Sequence, residues 1–278
     1  MQLSHAQGST DVALLTVTVG ENLEHTTARF PDRDALIVRH QGIRCTYREF
    51  DDATDRLAKS LLRLGVELGD RVGIWSPNNA EWVAVQYATA KIGAILVNIN
   101  PAYRQGELAY ALQRSEVKGI FAIPSFRSSD YVAMLVQLIP ELKKSDAGEI
   151  SNTGLPFLRR AVIYDPVKPA DVEKPFPGFT TWQEVLNAGQ AVDDEDMQLL
   201  MMSVDRDDPV NIQYTSGTTG FPKAVLLTHH NILNNAWFSA RAMHFNEHDR
   251  LCVPVPFYHC FGMVLANLLS LSVGACLV

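Results

Sequence analysis

The sequence has few cysteines, and their spacing is neither that of a zinc ribbon nor that of a disulfide-rich secreted domain. The chain of 278 residues contains four, and no two of them are separated by just two residues, as the paired ligands of zinc ribbons are. Secreted domains stapled by disulfides carry more cysteines at closer spacing. Free thiols in a reducing compartment are the simplest interpretation, which predicts a cytoplasmic protein. The four are Cys45, Cys252, Cys260 and Cys276.

The spacing of a metal site is missing as well. His244 and His248 are four residues apart, a step that places two imidazoles on one face of a helix, and His259 and Cys260 follow. No second ligand pair accompanies them at the spacing that metal sites use. We therefore predict that these residues form no metal site.

Neither an excess of basic residues nor a long hydrophobic run is present. The 24 Lys and Arg residues are outnumbered by 31 Asp and Glu, which gives a net charge of −7 and argues against nucleic acid as a partner. The most apolar stretch, residues 263–278, is shorter than the roughly 20 residues that span a bilayer. We predict a buried helix followed by a buried strand there, no transmembrane segment, and no secretory signal at the start.

Short apolar strands alternate with amphipathic helices along most of the chain. This alternation predicts an α/β fold with mainly parallel sheets flanked by helices. Residues 140–160 and 165–180 are expected to be loops, and the acidic run at 193–196 a solvated connector. The predicted helices span residues 47–64, 78–91 (with Asn78 as the cap), 106–114 and about 230–243, and the predicted strands 70–75, 94–99, 119–123, 209–214, 224–228 and 250–254.

The most informative segment is the decapeptide from Tyr214 to Lys223, Tyr-Thr-Ser-Gly-Thr-Thr-Gly-Phe-Pro-Lys, between two predicted strands. Its glycines allow backbone N–H groups to approach an anion, its hydroxyls add donors, and its lysine adds a positive charge. The spacing is that of neither the P-loop nor the dinucleotide fingerprint. From residue types alone, a phosphate-binding loop and an ordinary Ser/Thr/Gly-rich surface turn both remain open.

The order of residues in this loop resembles the signature of the AMP-forming adenylate ligases, which include acyl-CoA synthetases. The resemblance extends over roughly residues 12–278, and its details are similar to medium-chain and ACSF-type fatty acyl-CoA synthetases. Four segments carry it: the decapeptide, Thr46-Tyr-Arg-Glu-Phe50, Pro77-Asn-Asn-Ala-Glu-Trp82 with the segment 93–104, and Pro256-Phe-Tyr-His-Cys-Phe-Gly262.

The resemblance implies ATP-dependent activation of a carboxylic acid, with a fatty acid expected, followed by transfer to coenzyme A. The implied cofactors are ATP, Mg²⁺ and coenzyme A, with an acidic Mg²⁺ ligand later in the family's sequence. His259 is the candidate catalytic residue beside the substrate carboxylate, although a lone histidine among aromatics is also typical of a packed core. The implied triphosphate-binding residues are Thr215, Ser216, Gly217, Thr218, Thr219, Gly220 and Lys223.

The resemblance also implies an incomplete fold, the N-terminal portion of a longer enzyme. Residues 1–200 would form a first α/β subdomain, and residues 201–278 the start of a second one that carries the phosphate loop. A C-terminal domain would be absent, and the isolated chain is expected to be poorly soluble or only partly active. A homodimer of the complete enzyme stays open.

Three other functions share the loop, and one position departs from the family. The alternatives are an adenylation domain that loads a carrier protein, a luciferase-like oxidase and an inactive nucleotide-binding remnant. The family usually places glycine after the loop lysine, whereas this chain has Ala224. A Cβ at that position costs about 1 kcal/mol or more if the backbone needs a positive φ, and is absorbed if it does not.

Overall fold

The computed structural model describes residues 4, 8, 10–144, 150–168, 177–215 and 222–278. Thr215 and Lys223, at the two ends of the predicted phosphate loop, lie within these ranges. The predicted binding residues Ser216, Gly217, Thr218, Thr219 and Gly220 lie outside them.

The described strands form a seven-stranded sheet, a four-stranded sheet and a small hairpin. They are β1 Asp34–Val38, β2 Ile43–Thr46, β3 Arg71–Trp75, β4 Ile95–Ile99, β5 Val117–Ala122, β6 Ser125–Phe126, β7 Ser129–Asp130, β8 Arg160–Ile163, β9 Phe179–Thr181, β10 Pro209–Thr215, β11 Lys223–Thr228, β12 Arg250–Leu251 and β13 Cys276–Leu277.

Helices connect most of these strands. The α-helices are α1 Val19–Arg29, α2 Tyr47–Arg63, α3 Ala80–Lys91, α4 Gln105–Arg114, α5 Tyr131–Leu138, α6 Trp182–Ala188, α7 Asp194–Ser203 and α8 His229–Ala242. Short 3₁₀ turns lie at Arg39–Gln41, Pro140–Lys143 and Gly189–Ala191. The last helical region runs through Cys260–Gly262, a π-helical stretch Met263–Leu268 and Leu269–Ser272.

The seven-stranded sheet has the order β11-β10-β4-β3-β5-β8-β9. All neighbours in it are parallel except β10 and β11, which form an antiparallel hairpin. The central strand β4 is buried at every position, as expected for a parallel strand covered on both faces. The predicted α/β fold with mainly parallel strands is confirmed.

The four-stranded sheet has the order β12-β13-β1-β2 and joins the two ends of the chain. Leu36 of β1 lies beside Leu277 of β13, and both are buried. Each of the two sheets therefore draws strands from both sides of residue 200. A division there does not separate one sheet from the other, and two subdomains, 1–200 and 201–278, stay a prediction.

Capping residues explain where several helices begin. In α2, the Thr46 side chain accepts a hydrogen bond from the backbone N–H of Glu49, and the Glu49 carboxylate accepts one from the backbone N–H of Thr46. The predicted start of α3 is wrong by one residue. Its cap is Asn79, which accepts from the N–H of Trp82 at 2.8 Å, so Asn78 is available for another contact.

Two further expectations from the sequence need correction. The acidic run at 193–196 is not a connector, because its residues Asp194, Glu195 and Asp196 form the first turn of α7. Negative charge is favourable there because helix N-termini carry a partial positive charge. Strands β8 and β9 begin at the last one or two residues of the predicted loops at 140–160 and 165–180, and sequence patterns do not reveal such short strands.

The apolar stretch at 263–278 forms a buried helical region followed by β13, as predicted. Met263, Leu268 and Leu269 are fully buried against the sheet. Within the described residues, no helix has the length and apolarity needed to cross a bilayer.

Candidate functional site

The phosphate loop connects the two strands of the β10–β11 hairpin. The Cα partners at the end of this hairpin are Thr215 and Lys223, and both residues are exposed. Strand β10 is buried from Val210 to Gln213 and parallel to β4, so the loop leaves the sheet at the carboxyl edge of the parallel strands. Ligands of open α/β sheets bind at this edge.

Ala224 lies within β11, opposite Tyr214. The non-glycine residues with positive φ in the described part of the chain are Glu116, Arg127 and His244. Ala224 is therefore in ordinary strand geometry, and its methyl group points into an exposed region. The departure from the family's glycine causes no backbone strain here.

The segment after β12 is held at the same edge by Asn78. The Asn78 Nδ2 donates to the carbonyl of Val255 at 2.8 Å, and its Oδ1 accepts from the N–H of Phe257 at 2.8 Å. A single side chain therefore fixes a segment nearly 180 positions later in the sequence. Sequence reasoning missed this role because a Pro-Asn-Asn run is equally typical of a helix cap.

His259 is exposed and caps the short helix Cys260–Gly262. Its Nδ1 accepts a hydrogen bond from the N–H of Phe261 at 3.1 Å. Since Nδ1 is an acceptor, the neutral ring carries its proton on Nε2, where it is available as a donor. The ring is not packed in the core, and a catalytic role for His259 stays a prediction.

The residues around His259 are less buried than a core motif would be. Tyr258 is half-buried, and Phe261 is 56% exposed. Gly262 has a strict steric role, because a Cβ there would lie 2.3 Å from the carbonyl oxygen of Pro256. The glycine thus lets the helical region start directly against the Pro256 turn.

A crevice of about 420 Å³ opens beside this segment. The residues after β3 and β4 line one side of it, and Tyr258 with its neighbouring prolines lines another. Arg127, in the turn between β6 and β7, contributes a positive charge at its rim. The lining is Pro77, Asn78, Asn100, Pro101, Ala102, Phe126, Arg127, Pro254, Pro256 and Tyr258.

A buried polar layer lies under the site, between the sheet and the π-helical stretch. Asn211 of β10 donates to the Oδ1 of Asn98 in β4 at 2.8 Å. The amides of Asn98 and Gln213 lie 3.4 Å and 3.7 Å from the sulfur of Met263. π-Helical turns are frequent at functional sites. The sequence signal for this layer was weak: polar residues at 98, 211 and 213 in otherwise apolar strands.

The described residues do not offer a metal site. No cluster of three or more His, Cys, Asp or Glu side chains in that part of the chain is arranged to hold an ion. The groups at the two ends of the predicted loop are the Thr215 hydroxyl and the Lys223 ammonium, both of which suit phosphate oxygens.

Several known sequences resemble this chain over most of its length. The profile of the AMP-binding enzyme family matches residues 23–278. The Bacillus subtilis (strain 168) protein YngI is 42% identical over 265 residues, which cover 95% of this chain and 47% of that protein. The mitochondrial medium-chain acyl-CoA ligase ACSF2 of Danio rerio is 38% identical over 277 residues, covering 99% of this chain and 44% of the ligase.

Solved structures show the same fold. The anthranilate CoA ligase AuaEII in complex with anthranoyl-AMP superposes with a TM-score of 0.76 at 21% identity, over 98% of this chain and 46% of that one. The chain spans a little under half the length of the curated relatives it matches.

Proposed function

Because the chain belongs to the AMP-binding enzyme family, we propose that it is the N-terminal part of an acyl-CoA synthetase. The complete protein would join a carboxylic acid to ATP, releasing pyrophosphate, and pass the acyl group to the thiol of coenzyme A. The observation that carries this proposal is the hairpin end, where Thr215 and Lys223 face each other at the carboxyl edge of the sheet.

The first reaction places a specific demand on the protein. A carboxylate oxygen attacks the α-phosphorus of ATP, an acyl–phosphate bond forms, and the bond to pyrophosphate breaks. Both reactants are anionic, so catalysis depends on positioning and on charge stabilisation. Lys223 would hold the β- and γ-phosphates together with Thr215 and the predicted loop residues Ser216, Gly217, Thr218, Thr219 and Gly220.

His259 would orient the acid. Its Nδ1 accepts from the backbone, which leaves the Nε2–H to donate to the substrate carboxylate. This hydrogen bond would hold the attacking oxygen without taking its charge away. The crevice beside Tyr258 would admit the thiol acceptor in the second reaction, which forms the thioester and releases AMP.

The substrate class follows from the relatives. ACSF2 is named as a medium-chain acyl-CoA ligase, so we propose a medium-chain fatty acid for the complete protein. Mg²⁺ would enter with ATP, since the described residues supply no ligand set for it. A homodimer and a cytoplasmic location stay predictions; the ACSF2 relatives are mitochondrial by name.

Acid-dependent release of pyrophosphate tests the proposal. The chain is incubated with MgATP, coenzyme A and fatty acids of increasing length, and acyl-CoA is identified by mass spectrometry. We expect MgATP binding that Lys223→Ala weakens, with acyl-CoA formed in the complete protein. ATP affinity that Lys223→Ala leaves unchanged would show that the loop is not used. A product on a carrier-protein thiol, with none on coenzyme A, would favour the carrier-loading alternative.

A further inference from the structure

Both ends of the phosphate loop are tied to one helix, α4. At the loop's exit, the Tyr110 hydroxyl donates to the carbonyl of Pro222 at 3.2 Å. At its entry, the Tyr214 hydroxyl donates to the carbonyl of Ala111 at 3.1 Å and lies 2.6 Å from the Ser115 Oγ. Since Tyr214 gives its proton to Ala111, Ser115 is the donor in the second contact.

The two tyrosines also touch each other. The ring centroids of Tyr110 and Tyr214 are 6.4 Å apart, with an interplanar angle of 66°, which is the edge-to-face geometry that aromatic pairs prefer. The rings and their three hydrogen bonds form one contact between α4 and the base of the hairpin. We call these three residues, Tyr110, Ser115 and Tyr214, the tyrosine clasp.

The clasp contacts a part of the sheet that has little other packing. Strand β11 is the outer strand of its sheet, with β10 as its only strand neighbour among the described residues, and Lys223 to Leu226 are exposed. Little packing therefore holds the peptide between Pro222 and Lys223 in one orientation. The bond from Tyr110 to the Pro222 carbonyl fixes that peptide, and hence the direction in which the Lys223 side chain leaves the backbone.

We propose that the tyrosine clasp positions the phosphate loop, and that Tyr110 is a positioning residue for triphosphate binding through Lys223. This inference rests on the proposed binding of ATP by the loop. Binding sites gain affinity when their donors are already held in place, because less conformational freedom is lost on binding. Without the clasp, the pairing of Lys223 with Thr215 would remain, but the peptide before Lys223 would lose its bond to α4 and more conformational freedom would be lost on binding.

The test is calorimetric titration of the full chain with two probes, MgATP and magnesium tripolyphosphate. The second probe has the phosphates without the nucleoside, so it reports on the loop alone. We expect Tyr110→Phe to weaken binding of both probes by roughly three- to tenfold, the effect of one neutral hydrogen bond, and Tyr214→Phe, which removes two hydrogen bonds, to weaken it at least as much. Tyr47→Phe is the matched control, since the Tyr47 hydroxyl donates to the carbonyl of Ala275 at 2.7 Å, in the other sheet region.

A double-mutant cycle separates positioning from a general loss of stability. If Tyr110 acts through Lys223, the variant carrying both Tyr110→Phe and Lys223→Ala binds no more weakly than Lys223→Ala alone. Tyr47→Phe should lower the melting temperature without changing affinity. Additive effects in the cycle, or unchanged affinity in Tyr110→Phe while Lys223→Ala weakens binding, would overturn the inference and leave the proposed function intact. A wild-type chain that binds neither probe would overturn both.

Discussion

Strands β4 and β11 belong to the same sheet but have opposite surroundings. Every residue of β4 is buried, and both of its edges are paired with parallel neighbours. Strand β11 is paired with β10, and its apolar residues Val225 and Leu226 are 38% and 54% exposed. The centre of the sheet therefore contributes most of the packing, whereas β11, the outer strand of the hairpin, adds little to the core.

The same difference suits the proposed binding of phosphates at the hairpin end. Polar groups such as the Lys223 ammonium are costly to bury unless they are paired, and an exposed hairpin end avoids that cost. Its weak packing must be compensated by specific contacts if the loop is to keep one geometry. The contacts of Tyr110 and Tyr214 with Pro222 and α4 are such contacts.

Truncating one apolar side chain in each of the two strands should give the largest difference in the free energy of unfolding. Ile99→Ala removes a fully buried side chain from β4 and should lower the free energy of unfolding by about 2–5 kcal/mol. Leu226→Ala in β11 should change it by no more than about 0.5 kcal/mol. Urea denaturation followed by tryptophan fluorescence measures both values.

The denaturant slopes serve as the control for this pair, since comparable slopes mean that comparable surface is exposed on unfolding. Similar losses in the two variants would show that β11 is packed as tightly as β4.

His229, the first residue of α8 directly after β11, gives a pH-dependent test of how the hairpin is anchored. Its Nδ1 accepts from the N–H of Val19 at 3.1 Å, and its Nε2 is buried without a partner among the described residues. Burial lowers the pKa of His229 from 6.5 to about 4, because the charged ring is poorly solvated there.

The sign of the pH effect follows from that shift. Between pH 6.5 and 4 the unfolded chain binds a proton at His229 that the folded chain does not. This contribution to stability is therefore complete above pH 6.5 and is lost as the pH falls towards 4, by on the order of 3 kcal/mol. An asparagine in place of the histidine keeps an acceptor for Val19 but does not titrate. His229→Asn should therefore remove this part of the pH dependence in denaturation curves, and parallel curves for the two proteins would contradict the prediction.

Asn78 and Asn79 provide a matched pair next to the crevice. Asn78→Ala removes two hydrogen bonds to the backbone of residues 255–257 and should cost about 1–3 kcal/mol. Amide hydrogen exchange at residues 255–262 should accelerate at the same time. Asn79→Ala removes the cap of α3 and the hydrogen bonds of the Asn79 amide to Ser76 and the carbonyl of Pro77, and should cost about 1–3 kcal/mol without affecting exchange at residues 255–262. Equal acceleration in both variants would show that Asn78 has no separate role in holding the segment.

Ala224→Gly is expected to have a small effect on stability and none on binding. Glycine in a strand loses more conformational freedom on folding, so we expect a loss of about 0.5–1 kcal/mol. Because Ala224 already has strand geometry, the family's usual glycine should bring no gain in MgATP affinity. Tighter binding in a calorimetric titration would show that the loop needs a conformation that alanine resists.

Prediction from sequence was accurate wherever a local pattern carries the information. The apolar spacing at Phe50, Leu57 and Leu61 specifies α2 within a residue of its observed end. The buried run at 94–99 specifies β4 in the same way. Strand β9 was missed because three residues carry no measurable period. The cap of α3 was misplaced because adjacent asparagines have the same local chemistry.

In the candidate site, too, local features could be predicted from the sequence and long-range contacts could not. The resemblance of the loop to the family's signature depends on ten consecutive positions and can be read from the sequence. The contacts of Asn78 with Val255 and of Tyr110 with Pro222 join residues more than a hundred positions apart, and no local pattern specifies such a pair.

The sequence by itself determined the family, the alternation of strands and helices, and the residue types of the phosphate loop, because each depends on neighbours along the chain. Only the tertiary structure decided that β10 lies beside β4, that α4 ties both ends of the loop, and that Ala224 is unstrained. The physical reason is that strand pairing and side-chain hydrogen bonds depend on distances in space, which the packing of the whole chain sets.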